Sequence, residues 1–417
     1  MSDPTQLQRE NENLRRILEI ARYMAVTNDL DVLLGTIVEA ACEVLDCDRA
    51  TIFLYDPAAN ELFSRVAKGV DAIRFPADKG IAGQAAQERV CVNVPDAYVD
   101  PRFNRNVDKQ TGYRTRNLLT FPLENINGDL IGVLQALNKN AGPFTPADEE
   151  LARVLSAQAG VALERGRLLE EFAEKQRMQH DLEVARGIQQ ALFPKQNPEL
   201  AGYEIAGWNK PADETGGDAY DFIPLPGGRL AIFLADATGH GIGAALVIAQ
   251  ARSLLRALFS VTQDLTAVAA GVNNLLADDL DPERFVTAFI GILDPRGNVL
   301  EYISGGQGPL ILIDHDHVEN RNANTLPFAI MPGMEYPPPP HFEFAPGATL
   351  LLLTDGFYEA ANAAGDQYGE TRAIEFIRTH SNLPLTNLIE ALYADIVAFT
   401  DGRPQADDLT AVLTRRI

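Results

Sequence analysis

Arg229-Leu230-Ala231-Ile232-Phe233-Leu234-Ala235, followed at once by Asp236-Ala237-Thr238-Gly239-His240-Gly241-Ile242-Gly243, decides how the C-terminal half of this chain is read. The apolar run is a buried strand. The glycine-rich stretch after it is a turn that feeds a helix, and its glycines let the backbone come close to a ligand or to metal-bound water. Asp355-Gly356 repeats the pattern after Leu350-Leu351-Leu352-Leu353-Thr354. Asp407-Asp408 stands directly before Leu409-Thr410-Ala411-Val412-Leu413, and Asp218 follows Gly216-Gly217. Any one of these aspartates taken alone reads as a turn residue. Gathered at strand termini of one domain, their charges repel, and cations relieve that repulsion. Hard cations such as Mg²⁺ and Mn²⁺ favour oxygen ligands held on strand ends with room for water and phosphate oxygens. Two such ions lower the pKa of a shared water and neutralise a phosphoryl group. No G-x-S-x-G elbow, C-x₅-R loop or Walker lysine offers another route.

Further apolar strands are expected at Phe285–Leu293, Val299–Ser304, Pro309–Ile313, Thr349–Thr354 and Leu409–Arg415. Helical spacing occupies Gly243–Ser260, Leu265–Asp279 and Pro384–Phe399. Two sheets covered by helices fit this order. The segment Glu183–Asp408 resembles the stage-II-sporulation-E-like branch of the PPM (PP2C-type) serine/threonine phosphatases. The resemblance is carried by Ala185-Arg186-Gly187-Ile188-Gln189-Gln190-Ala191-Leu192-Phe193-Pro194, by Thr215-Gly216-Gly217-Asp218-Ala219-Tyr220-Asp221-Phe222 and by the Asp236 turn, with Thr354-Asp355-Gly356 and Asp407-Asp408-Leu409-Thr410 completing the order. It implies an α-β-β-α sandwich holding two Mn²⁺ or Mg²⁺ ions. The catalytic and ligand set it implies is Asp218, Asp236, the Ala237 carbonyl, Asp355, Asp407 and Asp408. The substrate it implies is a phosphoserine of a small anti-sigma-factor-antagonist-like protein. One departure is Ser304-Gly305-Gly306-Gln307-Gly308-Pro309, where the family's usual turn carries a histidine. A phosphatase of small phosphoesters, or an inactive docking module, are the alternatives.

The N-terminal half alternates helices and strands. Leu30–Leu45 is helical in spacing; Ala50–Tyr55 with Glu61–Ala67, and Leu118–Leu123 with Leu130–Asn138, read as strand pairs. Thr145-Pro146-Ala147-Asp148 opens a helix, with Thr145 as N-cap and Pro146 at the first helical position. From Asp148 to Leu192 there is no proline, so the helix either continues or breaks near Gly166. Leu30–Glu164 resembles a GAF domain of the cyclic-nucleotide-binding kind, on Asn138-Lys139, Phe144 and Asp148-Glu149, supported by Gly80-Ile81-Ala82-Gly83 and Thr111-Gly112-Tyr113-Arg114-Thr115-Arg116-Asn117. That resemblance implies a Lys139–Asp148 salt bridge bracing the pocket lid. It also implies an effector (cAMP or cGMP) facing Thr51, Ile81, Ala82, Thr111, Thr115 and Gln135. Ala67-Lys68 departs from the cyclic-GMP pattern, which leaves the base open.

The expected organisation is an α+β multidomain chain: an N-terminal helix over 1–22, a GAF sensor over 23–165, a linker helix over 166–194 and a phosphatase domain over 195–417. Leu7, Asn11, Leu14, Leu18 and Ala21 step by four and three, a short seam suited to a parallel homodimer. A formal net charge of -23 argues against nucleic acid or an anionic membrane as partner. Cys42, Cys47 and Cys91 lack C-x-x-C spacing and read as reduced thiols. No stretch of about 18 apolar residues occurs, and the polar start shows no signal peptide, so a cytoplasmic protein is expected.

Overall fold

The computed structural model describes residues 4–65, 73–315 and 317–417, and within these the side chains of all but 4–14, 107, 110 and 111. Ala67-Lys68 therefore lies outside the described residues, and Leu7, Asn11, Leu14 and Thr111 outside the described side chains. The chain divides into two compact units, Met1–Arg177 and Met178–Ile417.

In the first unit, α1 (Pro4–Val26) and α2 (Leu30–Leu45) lead into β1 (Cys47–Asp56), β2 (Glu61–Phe63), β3 (Arg74–Pro76), α3 (Gly80–Glu88), β4 (Val92–Val94), α4 (Arg105–Thr111), β5 (Leu118–Glu124), β6 (Leu130–Lys139) and the start of α5 (Pro146–Gln190). The strands make one antiparallel sheet ordered β3-β2-β1-β6-β5-β4. The period of two sorts β6 cleanly. Leu134 and Ala136 join the core with α2 and the start of α5. Val133 and Leu137 face the other way, with Ile81, Ala82 and Ala85 of α3. Asp29 caps α2, accepting from the Asp31 and Val32 amides at 2.9 and 3.0 Å.

The α5 helix is unbroken for 45 residues, and Gly166 does not interrupt it. Its start is a capping box: the Thr145 amide and hydroxyl donate to Asp148 Oδ2 at 2.7 and 2.8 Å, and the Asp148 amide donates back to Thr145 Oγ1 at 3.4 Å. Leu168, Phe172, Met178, Val184 and Ile188 are exposed along it.

The second unit continues with β7 (Tyr203–Lys210), β8 (Asp218–Leu225), β9 (Arg229–Ala237), α6 (Ile242–Phe259), α7 (Leu265–Asp279), β10 (Val286–Asp294), β11 (Val299–Gly305), β12 (Leu310–Asp314), β13 (His317–Arg321), β14 (His341–Glu343), β15 (Thr349–Leu353), α8 (Gly356–Glu359), α9 (Gly369–Thr379), α10 (Leu385–Phe399) and β16 (Leu409–Arg416). Two five-stranded antiparallel sheets result, β14-β11-β10-β9-β8 and β13-β12-β15-β16-β7. Their inner faces share one core, with Tyr220, Phe222, Ile232, Leu234 and Phe289 from one sheet and Ile205, Leu312, Leu350, Leu352 and Val412 from the other. The outer face of the first sheet packs under α6 and α7. That of the second packs under α9 and α10. This is the expected α-β-β-α sandwich. Double coverage explains why β9 reads as continuously apolar: Leu230, Ile232 and Leu234 point between the sheets, and Ala231, Phe233 and Ala235 toward the helices.

The α6 helix is apolar and long enough to cross a bilayer by composition, with mean hydropathy 1.5 over Ile242–Phe259, but Val247, Ile248, Ala251 and Leu255 are core residues of the sandwich.

Candidate active site

Strand parity brings the acids together. Asp236 continues the inward series Leu230, Ile232 and Leu234, and Asp218 begins the inward series completed by Tyr220 and Phe222. The two are direct cross-strand partners. Asp408 shares parity with Thr410 and Val412 on β16, and Thr354 extends the inward series of Leu350 and Leu352 on β15. Asp218, Asp236 and Asp408 thus occupy the space between the sheets at one end of the sandwich. Asp355 and Asp407 flank it just beyond the strand ends, exposed to solvent.

Hydrogen bonds fix this end. The Thr354 hydroxyl donates to Asp218 Oδ2 at 2.8 Å and accepts from the Thr410 amide at 2.9 Å. Asp408 Oδ1 accepts from the Ala212 amide at 2.8 Å and Oδ2 from the Asp218 amide at 3.3 Å. Asp407 Oδ1 accepts from the Asp408 amide at 2.8 Å. Close packing demands glycine here. A β-carbon on Gly216 would stand 2.2 Å from Asp408 Oδ2, and one on Gly356 would stand 2.1 Å from the Asp408 carbonyl oxygen.

Like charges opposite one another on adjacent strands are unfavourable. Burial, then the neighbouring Asp236, raises the Asp218 carboxyl well above the usual range. Burial pushes Asp236 up to about 7, with Asp355, Asp407 and Asp408 adding to the rise. Asp355, exposed at the rim, is raised by partial desolvation of its carboxyl against the protein and by Asp407. Asp408 is raised by burial despite the amides of Ala212, Asp218 and Gly217. The cleft therefore carries an uncompensated demand for positive charge.

Among the described residues, no three acidic, histidine or cysteine side chains stand close enough to ring one ion by themselves. The donor set is instead sparse and all-oxygen, with the Ala237 carbonyl beside Asp236: a β-carbon on Gly217 would be 2.9 Å from that oxygen and 3.2 Å from Asp236 Oδ1. One or two carboxylates completed by carbonyl, water and substrate oxygens is the arrangement Mg²⁺ accepts. The residues present fit that group of cations.

Two contacts of the site were not among the expected residues. Gln189, on the last turn of α5, pairs with the Gly216 backbone in both directions: Nε2 donates to the carbonyl at 2.6 Å, and Oε1 accepts from the amide at 3.0 Å. The signature around Gln189 was visible in the sequence, but its partner lies 27 residues away. Gln307 stands in the turn that lacks the family histidine. It is buried, and its Nε2 donates at 3.0 Å to the carbonyl of Leu353, two residues before Asp355.

In the first unit, Thr51, Gln135 and Thr120 align across β1, β6 and β5 on the face toward α3, with Gln135 Nε2 donating to Thr120 Oγ1 at 3.1 Å. Ile81 and Ala82 are buried on α3 opposite that face. Thr115 is buried and already engaged: its hydroxyl and amide each donate to Asp108 at 2.8 Å. Lys139 Nζ meets Asp148 Oδ1 at 2.8 Å and also donates to the Leu45 carbonyl at 3.0 Å, joining the end of β6 to the start of α5 and the end of α2.

A sheet flanked by helices and a two-sheet sandwich with acids at one end define a chain that pairs a GAF domain with a PP2C-type phosphatase domain of the stage II sporulation protein E family. The GAF domain model matches residues 29–163 and the Stage II sporulation protein E (SpoIIE) model residues 226–417. Among solved structures, the SiaA-PP2C domain of Pseudomonas aeruginosa is 27% identical with a TM-score of 0.51, covering 59% of this chain and 98% of that one. Among curated proteins, the probable 3',5'-cyclic phosphodiesterase pde-5 of Caenorhabditis elegans is 32% identical over 173 residues, 37% of this chain and 23% of its own length. Protein IcfG of Synechocystis sp. is 26% identical over 265 residues, 57% of this chain and 41% of its own length. The chain thus spans less than half of either curated relative.

Proposed function

We propose that this chain is a cation-dependent serine/threonine protein phosphatase whose activity answers to a small molecule, a cyclic nucleotide, at its GAF domain. The observation that carries the catalytic reading is the convergence of Asp218, Asp236 and Asp408, flanked by Asp355 and Asp407, at one end of the sandwich. Asp218, Asp236, the Ala237 carbonyl, Asp355, Asp407 and Asp408 would hold two Mn²⁺ or Mg²⁺ ions. When bound, such ions activate water and neutralise phosphoryl oxygens. The chain's own groups do the rest. Thr354 and the amides around Asp408 orient the carboxylates, and the glycines at 216 and 356 keep the cleft open.

The substrate in this reading is a phosphoserine protein of the anti-sigma-factor-antagonist type, and the chain works as a parallel homodimer in the cytoplasm. The polar row Thr51–Gln135–Thr120 opposite α3 supports a ligand on that face, and the Lys139–Asp148 pair braces its surroundings. The similarity to a protein named as a cyclic phosphodiesterase supports a cyclic nucleotide as that ligand. The unbroken α5 carries Gln189 on its last turn, where it grips Gly216 beside Asp408, so displacement of the helix end would move the acid cleft. The test is dephosphorylation of a phosphoserine protein by the full chain with Mn²⁺, with and without cAMP or cGMP. Unchanged hydrolysis by Asp236→Asn overturns the catalytic reading; absence of any nucleotide effect at saturation overturns the regulatory one.

A further inference from the structure

The turn that precedes β10 delivers a cation to the acid end of the sandwich. In Asp281-Pro282-Glu283-Arg284 the Arg284 amide donates to the Asp281 carbonyl at 2.9 Å, with proline where a reverse turn wants a preset φ. The next residue is clamped: the Phe285 amide donates to Thr238 Oγ1 at 3.1 Å, and the Thr238 amide to the Phe285 carbonyl at 3.1 Å. Thr238 directly follows Ala237, so the base of Arg284 is pinned to the strand that carries Asp236. The guanidinium lies over the first turn of α6, where a β-carbon on Gly243 would be 3.1 Å from Nη1 and 3.5 Å from Nη2.

Arg284 is exposed, and among the described residues no acceptor engages its guanidinium. Two other cations of this unit are occupied: Lys210 Nζ donates to the Tyr393 hydroxyl at 2.5 Å, and Arg403 Nη1 to the Asn362 carbonyl at 3.3 Å. In a chain of formal charge -23, a held but unpaired guanidinium is a donor waiting for an acceptor. Its planar fork matches a carboxylate. Asp236 pairs with Thr287, three residues after Arg284, and the residue after Gly243, Ala244, lies 3.3 Å from the place of a Gly217 β-carbon that would stand 3.2 Å from Asp236 Oδ1. The guanidinium is therefore held at the rim of the acid end, over the helix turn that packs against Gly217.

We propose that Arg284 is a specificity-determining residue that binds a carboxylate side chain flanking the phosphoserine of the substrate protein. The proposal rests on the phosphatase reading above. The test compares two phosphoserine peptides, one flanked by glutamates and one by glutamines, together with p-nitrophenyl phosphate, using the full chain and saturating Mn²⁺. The wild type is expected to show the lower KM on the glutamate peptide. Arg284→Ala should raise that KM about fivefold, leaving kcat, the glutamine peptide and the small ester unchanged. Arg284→Lys, which keeps the charge but loses the planar fork, should move KM in the same direction by a smaller factor. An unaltered KM for Arg284→Ala on the glutamate peptide overturns the proposal. An equal loss on the small ester also overturns it, because Arg284 would then act on the scissile phosphoryl group. Failure of the wild type on all three substrates removes the phosphatase reading itself.

Discussion

Neutralising Asp236 is expected to stabilise the cation-free protein while abolishing its activity. The Asp236 carboxyl rises from 3.8 to about 7, a strain on the ionised form of about 4 kcal/mol at most. Asp218, Asp355 and Asp408 remain raised in the variant, so about half of that should be recovered in Asp236→Asn. For a unit of this size, about 2 kcal/mol corresponds to a Tm increase of roughly 4–8 °C. The sign follows from proton linkage. A carboxyl whose native pKa exceeds its unfolded value binds more protons in the native state, so its contribution is present at low pH and is lost as pH rises through about 7. In chelator the gain should therefore be full near pH 8 and vanish near pH 4. With Mn²⁺ the order reverses, because the cation binds the native wild type more tightly. The chain's one tryptophan, Trp208, packs against Phe357 and Tyr393 at ring-centroid distances of 6.1 and 5.1 Å, so its fluorescence follows the phosphatase unit alone. A Tm for Asp236→Asn at or below wild type, in chelator near pH 8, refutes the reasoning.

Other substitutions probe the same framework. Asp355→Asn and Asp407→Asn should each lower Mn²⁺-dependent turnover by at least about a hundredfold without altering Trp208 fluorescence, as steady-state kinetics would establish. Gln189→Ala leaves both backbone groups of Gly216 unpaired in a buried place, at about 1–3 kcal/mol, and should raise the Mn²⁺ concentration for half-maximal activity about tenfold or more. Lys139→Met strands the largely buried Asp148 carboxylate and should destabilise the GAF unit by about 3 kcal/mol, read from urea unfolding by circular dichroism with the Trp208 transition unmoved. Thr51→Val combined with Gln135→Leu should abolish any Tm increase produced by cyclic nucleotide, with the ligand-free Tm as the control.

Much of this was legible in the chain. Where both faces of a strand are covered, as in β9 and β15, the apolar run announced it. Where capping chemistry was local, as at Thr145–Asp148, the helix start was plain. The helix at Leu30–Leu45 stands where its periodicity set it. What escaped was chemistry completed from far away. The β8 strand hid behind two acids; Asp221 is fully buried because Arg252 and Arg256 reach it from α6 at 2.8 and 2.5 Å. No local pattern reports a partner about 30 residues on. The short α3, α4, β3 and β4 carry too few residues for a period to emerge, and tertiary packing defines them. The acid cleft was recognisable as recurring aspartates after or before apolar runs, but the grip of Gln189 on Gly216 and the bond of Gln307 to Leu353 required the folded chain.

The amide of Gln189 satisfies one donor and one acceptor of the same residue, much as a neighbouring strand would. An α-helix turns about 100° with each residue, so advancing it by a single position would swing this side chain away and present Gln190 or Ile188 in another direction. Both bonds rest on one side chain, so losing its orientation loses both. The end of the long helix is cut like a key with one matching notch, and the lock it fits lies one residue from the glycine that leads into Asp218.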